Sequence, residues 1–332
     1  MVELTHRRRW ALLVTVGALV VAAVGVVILH GCAGLVCDSV RYPAGGIRIA
    51  TGGVGGVYAA YGEAYQAVLA EDLPGLDVRL DNSSGSVDNL TRLAQGRADL
   101  TFISADTAYL VPQLEQAAHA PGRIRAIARV YDEYVQVAVR ADSPIRTLAD
   151  LRGKRVSTGS AGSSVEITAG RLLAAANMND TTDIVRRRLS VAESAWGLET
   201  GGVDAFFWVG GLPTGAVAAL ADMEPIRLLP LDRYVDTLHR RYGSFYQPAV
   251  VPAGTYQGVP DTRTTAVPSY LLASSALSSS LVYRLTAALF GHQPEIAIRV
   301  PSGRVLDVRS AISTEAIPLH PGAVRYYRSV KP

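Results

Sequence analysis

The chain has 332 residues, 49% hydrophobic and 18% charged, with a formal net charge of +3. That length suggests roughly two domains of ~100–200 residues each, and the apolar content, with 31 Gly and 17 Pro, excludes a disordered or low-complexity chain. Removing residues 1–31 leaves 29 basic against 28 acidic residues, too even a balance for a nucleic-acid binder, and two cysteines exclude a disulfide scaffold and a multi-cysteine zinc module.

Arg7-Arg8-Arg9 precede twenty uncharged residues, Trp10 to Leu29. Such a run can cross ~30 Å of hydrocarbon as a helix, and a basic start before an apolar run is also the signal-peptide pattern. Leu29-His30-Gly31-Cys32 resembles a bacterial lipobox with Cys32 as the lipidated residue, although His30 departs from the small residue usual there. An uncleaved signal anchor is the rival reading. Cys32 and Cys37 also read as membrane-proximal thiols or one small disulfide, and Arg7-Arg8 as part of a twin-arginine export signal. Residues 1–31 are thus expected to be a signal peptide or membrane anchor and 32–45 a linker. The body should be extracytoplasmic and tethered to the membrane at its N-terminus.

From Ile47 an order of elements begins that later repeats. Ile47–Ala50 alternates like a strand and enters Thr51-Gly52-Gly53-Val54-Gly55-Gly56. A helical stretch over 57–70 follows, then strand-like 77–80, Asn82-Ser83-Ser84-Gly85-Ser86, a helix through Leu93, and Gly96-Arg97-Ala98-Asp99 before the apolar strand 100–103. In the second half, 155–157 enters Gly159-Ser160-Ala161-Gly162-Ser163-Ser164. A helix over 165–176, a strand at 183–185, a helix near 192–198 and Gly201-Gly202-Val203-Asp204 lead to the apolar strand 205–209. Alternating strands and helices predict α/β lobes on mainly parallel sheets, and each Gly-x-x-Asp reads as a helix C-cap before a strand. Residues 131–139, with Val135, Val137 and Val139 alternating, and 264–273 read as strands crossing between lobes. The expected fold is an α/β clamshell with two hinge crossings, one lobe formed by 46–135 with 265–332 and the other by 140–260.

Three junctions, Gly52–Tyr58, Ser83–Asn89 and Gly159–Glu166, each lead from a strand through Gly and Ser into a helix. Helix starts offer unpaired N–H groups and a partial positive charge. Junctions from both lobes meeting in the crevice beyond the strand ends would hold a carboxylate. A terminus contributes about 0.3–1 kcal/mol when exposed and ~2 when partly buried, against about 8 kcal/mol for micromolar affinity. Direct hydrogen bonds and burial must supply the rest. Each junction taken singly also reads as an ordinary capped turn.

Other chemistries fail on spacing. After Gly53-Val54-Gly55 the third glycine of a dinucleotide fingerprint falls on Tyr58, and no P-loop pattern occurs. His6, His30, His119, His239, His292 and His320 lack metal-ligand spacing, and no Gly-x-Ser-x-Gly elbow exists. No cofactor, metal or catalytic set is expected. Tyr58, Tyr61 and Tyr65 share one helical face; Tyr61 and Tyr65 read as packing, whereas Tyr58 and Trp208 are open between cleft wall and core.

Ala50–Tyr58, Gly85–Leu90, Leu151–Val156, Asp204–Thr214 and Ile317–Ala323 occur in an order that resembles the TAXI family, the extracytoplasmic solute receptors of tripartite ATP-independent periplasmic (TRAP) transporters. The similarity covers about residues 46–328. The resemblance implies a two-lobed periplasmic-binding-protein fold. It also implies capture of a small carboxylate, glutamate-like or a dicarboxylate, for a permease driven by an ion gradient. Carried over, it places Gly52, Val57, Tyr58, Ser84, Gly85, Ser86, Asn89, Ser160, Gly162, Ser163 and Ser164 at the cleft, with Trp208 on the far wall. The family commonly has Gly-Ser-Gly-Thr-Glu where this chain has Gly162-Ser163-Ser164-Val165-Glu166, a departure that bears on ligand identity. A ligand sensor for a membrane signalling partner, or an extracytoplasmic enzyme on the same scaffold, are the alternatives.

Overall fold

A computed structural model describes residues 42–43, 46–315 and 317–331. The N-terminal basic and apolar segment, Cys32 and Cys37 lie outside the described residues. No helix among the described residues is long and apolar enough to cross a membrane.

The first half runs β1 (Ile47–Ala50), α1 (Val57–Asp72), β2 (Val78–Asp81), α2 (Ser86–Ala94) and β3 (Leu100–Ser104). Helix α3 (Val111–Ala117) then leads to β4 (Ile124–Arg140). The second half repeats the order with β5 (Arg155–Ser157), α4 (Ser164–Ala175), β6 (Val185–Arg187), α5 (Val191–Glu199) and β7 (Ala205–Gly210). There follow α6 (Gly215–Met223), β8 (Ile226–Leu228), α7 (Val235–Tyr242), β9 (Gln247–Val251) and β10 (Thr262–Ser274). The chain closes with α8 (Ser279–Gly291), α9 (Gln293–Arg299), α10 (Val308–Ala311) and α11 (Pro321–Ser329).

The strands form one sheet in the order β2-β1-β3-β10-β4-β7-β5-β6, with β8 beside β4 and β9 beside β10. Its two wings match: β2, β1 and β3 are parallel, and so are β6, β5 and β7. Between them β4 and β10 pair antiparallel from Ala266↔Tyr134 to Ser274↔Ile124. The C-terminal part of β10 also borders β3, and the C-terminal part of β4 borders β7. Each long strand therefore belongs to both wings. They are the two crossings expected at 131–139 and 264–273, lengthened at both ends. This is the α/β, two-lobed periplasmic-binding-protein fold.

The repeat extends to individual bonds. Asp99 and Asp204, the ends of the two Gly-x-x-Asp stretches, each accept a backbone N–H with a carboxylate oxygen, from Arg48 and Arg155 respectively, both at 2.8 Å. Their own N–H groups return bonds to Arg48 O and Arg155 O at 2.9 and 2.8 Å. A short acid directly after a left-handed glycine turn thus pins the start of the inner strand in each wing. At the other end, Thr51 and Thr158 donate their N–H groups to Asp81 O and Arg187 O, both at 2.9 Å.

One buried core runs through both wings. Val135, Val137 and Val139 of β4 join Val156, Leu172 and Phe207 on one side and Ile103, Tyr270 and Leu272 on the other. A second cluster packs α5 and α6 on Phe206, Ala138 and Leu228. The C-terminal segment returns to the first wing. Ala126 donates to Pro318 O at 2.9 Å, His320 N donates to Ala126 O at 2.8 Å, and the Tyr327 hydroxyl reaches Ile127 O at 2.9 Å. Helix α11 approaches α8 so closely that a Cβ on Gly322 would collide with Ser279 O and stand 2.8 Å from Tyr283 N. Gly322→Ala should therefore lower unfolding free energy by about 1–3 kcal/mol in urea titrations. Gly291→Ala, whose added methyl meets nothing within 4 Å, should leave it unchanged or slightly raised.

Candidate functional site

The Gly/Ser junctions converge where β4 and β10 cross. Helix α1 starts after Gly56 and α2 after Gly85, and neither start has a side-chain cap. Their first-turn N–H groups therefore have no side-chain acceptor. At the third junction, Ser163 Oγ accepts from Glu166 N at 3.2 Å while donating to Ser160 O at 2.7 Å. Gly85 has φ +124°, and a Cβ there would lie 3.0 Å from Ser163 Cβ. Only glycine suits both that backbone and that approach.

A narrow cavity of about 50 Å³ lies at the meeting point. Gly52, Val57 and Tyr58 of the first junction line it, with Ser84 and Gly85 of the second, Ser160, Ser163 and Ser164 of the third, and Trp208 of β7. Tyr58 stacks on Phe102, ring centroids 5.6 Å apart, and Tyr61 stacks on Tyr131 at 5.7 Å. Tyr61 and Tyr65 are fully buried, so the face they share with Tyr58 packs the lobe and delivers only Tyr58 to the cavity. Trp208 is half-buried and donates Nε1–H to Thr214 Oγ1 at 2.8 Å, which holds its ring as wall.

Ser86, Asn89 and Gly162 do not line the cavity, and in each case the polar group is engaged elsewhere. Buried Ser86 accepts the Ser104 N–H at 3.0 Å and lies 3.4 Å from the Tyr58 hydroxyl. Buried Asn89 donates Nδ2–H to Thr51 O and Phe102 O at 2.7 and 2.8 Å. Gly162 O accepts the Val87 and Asp88 N–H groups, both at 3.1 Å. With Ala216 N donating to Gly55 O at 3.3 Å, backbone bonds join the wings directly on two sides of the cavity.

Two parts of the wall were not anticipated. Leu189, Ser190 and Val191 form a fourth junction, from β6 into α5. Its signal was present as Ser190-Val191-Ala192-Glu193, a capping box that the structure forms at both ends. Tyr131 and Glu133 come from β4. Continuing the alternation of Val139, Val137 and Val135 backwards by two-residue steps reaches both; adjacent Asp132 obscured the pattern by being equally acidic. Asp132 instead pairs with Arg129 at 2.6 Å on the partly exposed face.

Glu133 sets the electrostatics. It is 1% exposed, and its Oε2 has no hydrogen-bond partner. Burial raises its pKa from 4.5 to about 8; the hydroxyls of Tyr58, Ser104 and Ser269 pull the other way, while Asp106 adds to the rise. The same burial, with Glu133 and Tyr131 adjacent, holds the Tyr58 hydroxyl protonated. No Arg, Lys or His is among the described residues of the wall. Because the folded pKa exceeds the unfolded one, the stability contributed by neutral Glu133 is complete below about pH 4.5 and is lost as pH rises through about 8. Thermal melts should show Glu133→Gln gaining on the wild type between pH 5 and pH 8, with the larger advantage at pH 8. An advantage unchanged by pH would contradict a buried neutral acid.

The fold is the two-lobed α/β fold of the periplasmic binding proteins. The chain belongs to the NMT1-like family, which matches residues 49–330. Among solved structures, a protein of Bordetella bronchiseptica RB50 is similar at 19% identity and TM-score 0.50, over 87% of this chain and 90% of that one. The periplasmic aliphatic sulphonate binding protein SsuA of Escherichia coli is 18% identical, with TM-score 0.48 over 86% and 84% of the two chains. The GluR0 ligand-binding core of Nostoc punctiforme, in complex with L-glutamate, is 14% identical, with TM-score 0.47 over 76% and 98%.

Proposed function

We propose that the protein is an extracytoplasmic solute-binding receptor. It closes two lobes on a small carboxylate, a glutamate-like amino acid or a dicarboxylate, and delivers it to a TRAP-type permease. The observation that carries this reading is the convergence of βα junctions from both wings, one of them the uncapped start of α1, on one cavity. The fold, the NMT1-like membership and the sequence resemblance to TAXI receptors support it. The lobes of this reading are 46–135 with 265–332, and 140–260. Cys32 as a lipid site, or the apolar segment as a helix, would hold the receptor at the membrane.

Closure follows from contact with both wings, since a ligand shifts a two-state equilibrium only by its differential affinity for the states. The first-wing wall offers N–H groups at Val57–Tyr58, and the second-wing wall contributes Ser160, Ser163 and Ser164. Binding rather than turnover fits the wall, where Glu133 meets neither cysteine nor histidine. Tyr58→Ala, which removes ring and hydroxyl from the cavity, should weaken binding by about tenfold or more in calorimetry while the protein stays folded. Ser86→Ala should also weaken binding, and it should cost about 1–3 kcal/mol of stability by leaving the Ser104 N–H unpaired. If a broad panel of amino acids and dicarboxylates gives no binding heat with the full-length protein, the receptor reading for small carboxylates falls.

A further inference from the structure

The receptor reading leaves open whether the solute carries a positive charge beside its carboxylate. Resting on that reading, we infer that Glu133 receives a protonated nitrogen of the bound solute, so that the site is built for a zwitterion rather than for a dicarboxylate. The wall is sharply divided. The uncapped start of α1 and the residues Ser160 and Ser164 line one part of the cavity. Another part is lined by Glu133 and Tyr131, whose Oε2 and hydroxyl are buried without a hydrogen-bond partner. An ammonium group has three donors and no acceptor, and these two oxygens answer it. A second carboxylate placed there finds no cation among the described residues of the wall and is met only by Glu133 as a protonated donor. Arg171, the cation beside Asp106, is taken by Asp106 at 3.6 Å and the Tyr246 hydroxyl at 3.0 Å, and stacks over Tyr242.

The groups that bear on Glu133 are Tyr58 from α1, Ser104 from β3, Asp106 from the turn after it, Tyr131 from its own strand and Ser269 from β10. None is a cation, so Glu133 is held protonated at neutral pH before a solute enters. An arriving ammonium favours the ionised carboxylate. Glu133 then loses its proton to solvent, and binding is coupled to proton release. A dicarboxylate would have the opposite effect, stabilising the protonated acid as a hydrogen-bond donor.

The test is calorimetry on the full-length protein at pH 7, repeated in buffers of different ionisation enthalpy. The probes are L-glutamate and L-glutamine set against glutarate and succinate, which lack the nitrogen. The expected result is binding of the amino acids with release approaching one proton, and binding of the two dicarboxylates at least about tenfold weaker. Glu133→Gln should abolish the release and weaken amino-acid binding about tenfold or more, with its melt checked for folding. The wild-type proton count needs no variant and decides the matter if Glu133→Gln fails to fold. Equal or tighter binding of the dicarboxylates, or binding without proton release, would overturn the role of Glu133 and leave the receptor reading standing. No binding by either set overturns the receptor reading for these solutes, and this inference with it.

Discussion

The pairing of β4 with β10 is the constraint on which the rest depends. Each strand borders one wing's inner strand and continues into the other wing, so the crossings are hydrogen-bonded sheet rather than free linker. Motion between the wings must be absorbed by twist and bending within two paired strands, which favours a small set of arrangements. The β4–β10 register shifts between Ser269 and Tyr270, opposite Tyr131 and Arg129. Such irregularities re-aim side chains beside functional sites, and here the adjacent residues Tyr131 and Glu133 reach the cavity wall.

The site trades stability for readiness. Leaving the start of α1 without a cap forgoes about 1 kcal/mol, and burying an acid away from any cation costs more unless it stays protonated. Other helix starts carry standard devices, at the cavity wall and away from it: Ser163, Ser190 and Ser278 cap their helices, and Asp99 and Asp204 pin their strands. The wings also touch directly through Gly162 O and Gly55 O. The backbone therefore already makes a contact between the wings beside the cavity.

Much of this architecture was legible in the chain. Glycine punctuation, the two Gly-x-x-Asp stretches and the alternation of Val135, Val137 and Val139 are local signals, and local signals report local structure. The Gly/Ser junctions are also local, which is why most of the expected residues line the cavity. Ser86 and Asn89 were harder to place because a polar side chain at a junction can face a ligand or repair the fold's own open backbone groups. Only the positions of Ser104 N, Thr51 O and Phe102 O show that they do the second.

By itself, then, the sequence determined the element order, the duplicated halves and the helix starts, because each depends on residues within a turn or two of one another. The tertiary structure alone decided which groups meet. Glu133 and Asp132 are chemically near-equivalent neighbours, yet strand alternation at the crossing sends one into a cavity without cations and leaves the other paired with Arg129. The near-neutral charge of the body is an average; the cavity wall holds one buried acid together with the uncapped start of α1, and only long-range packing can set that.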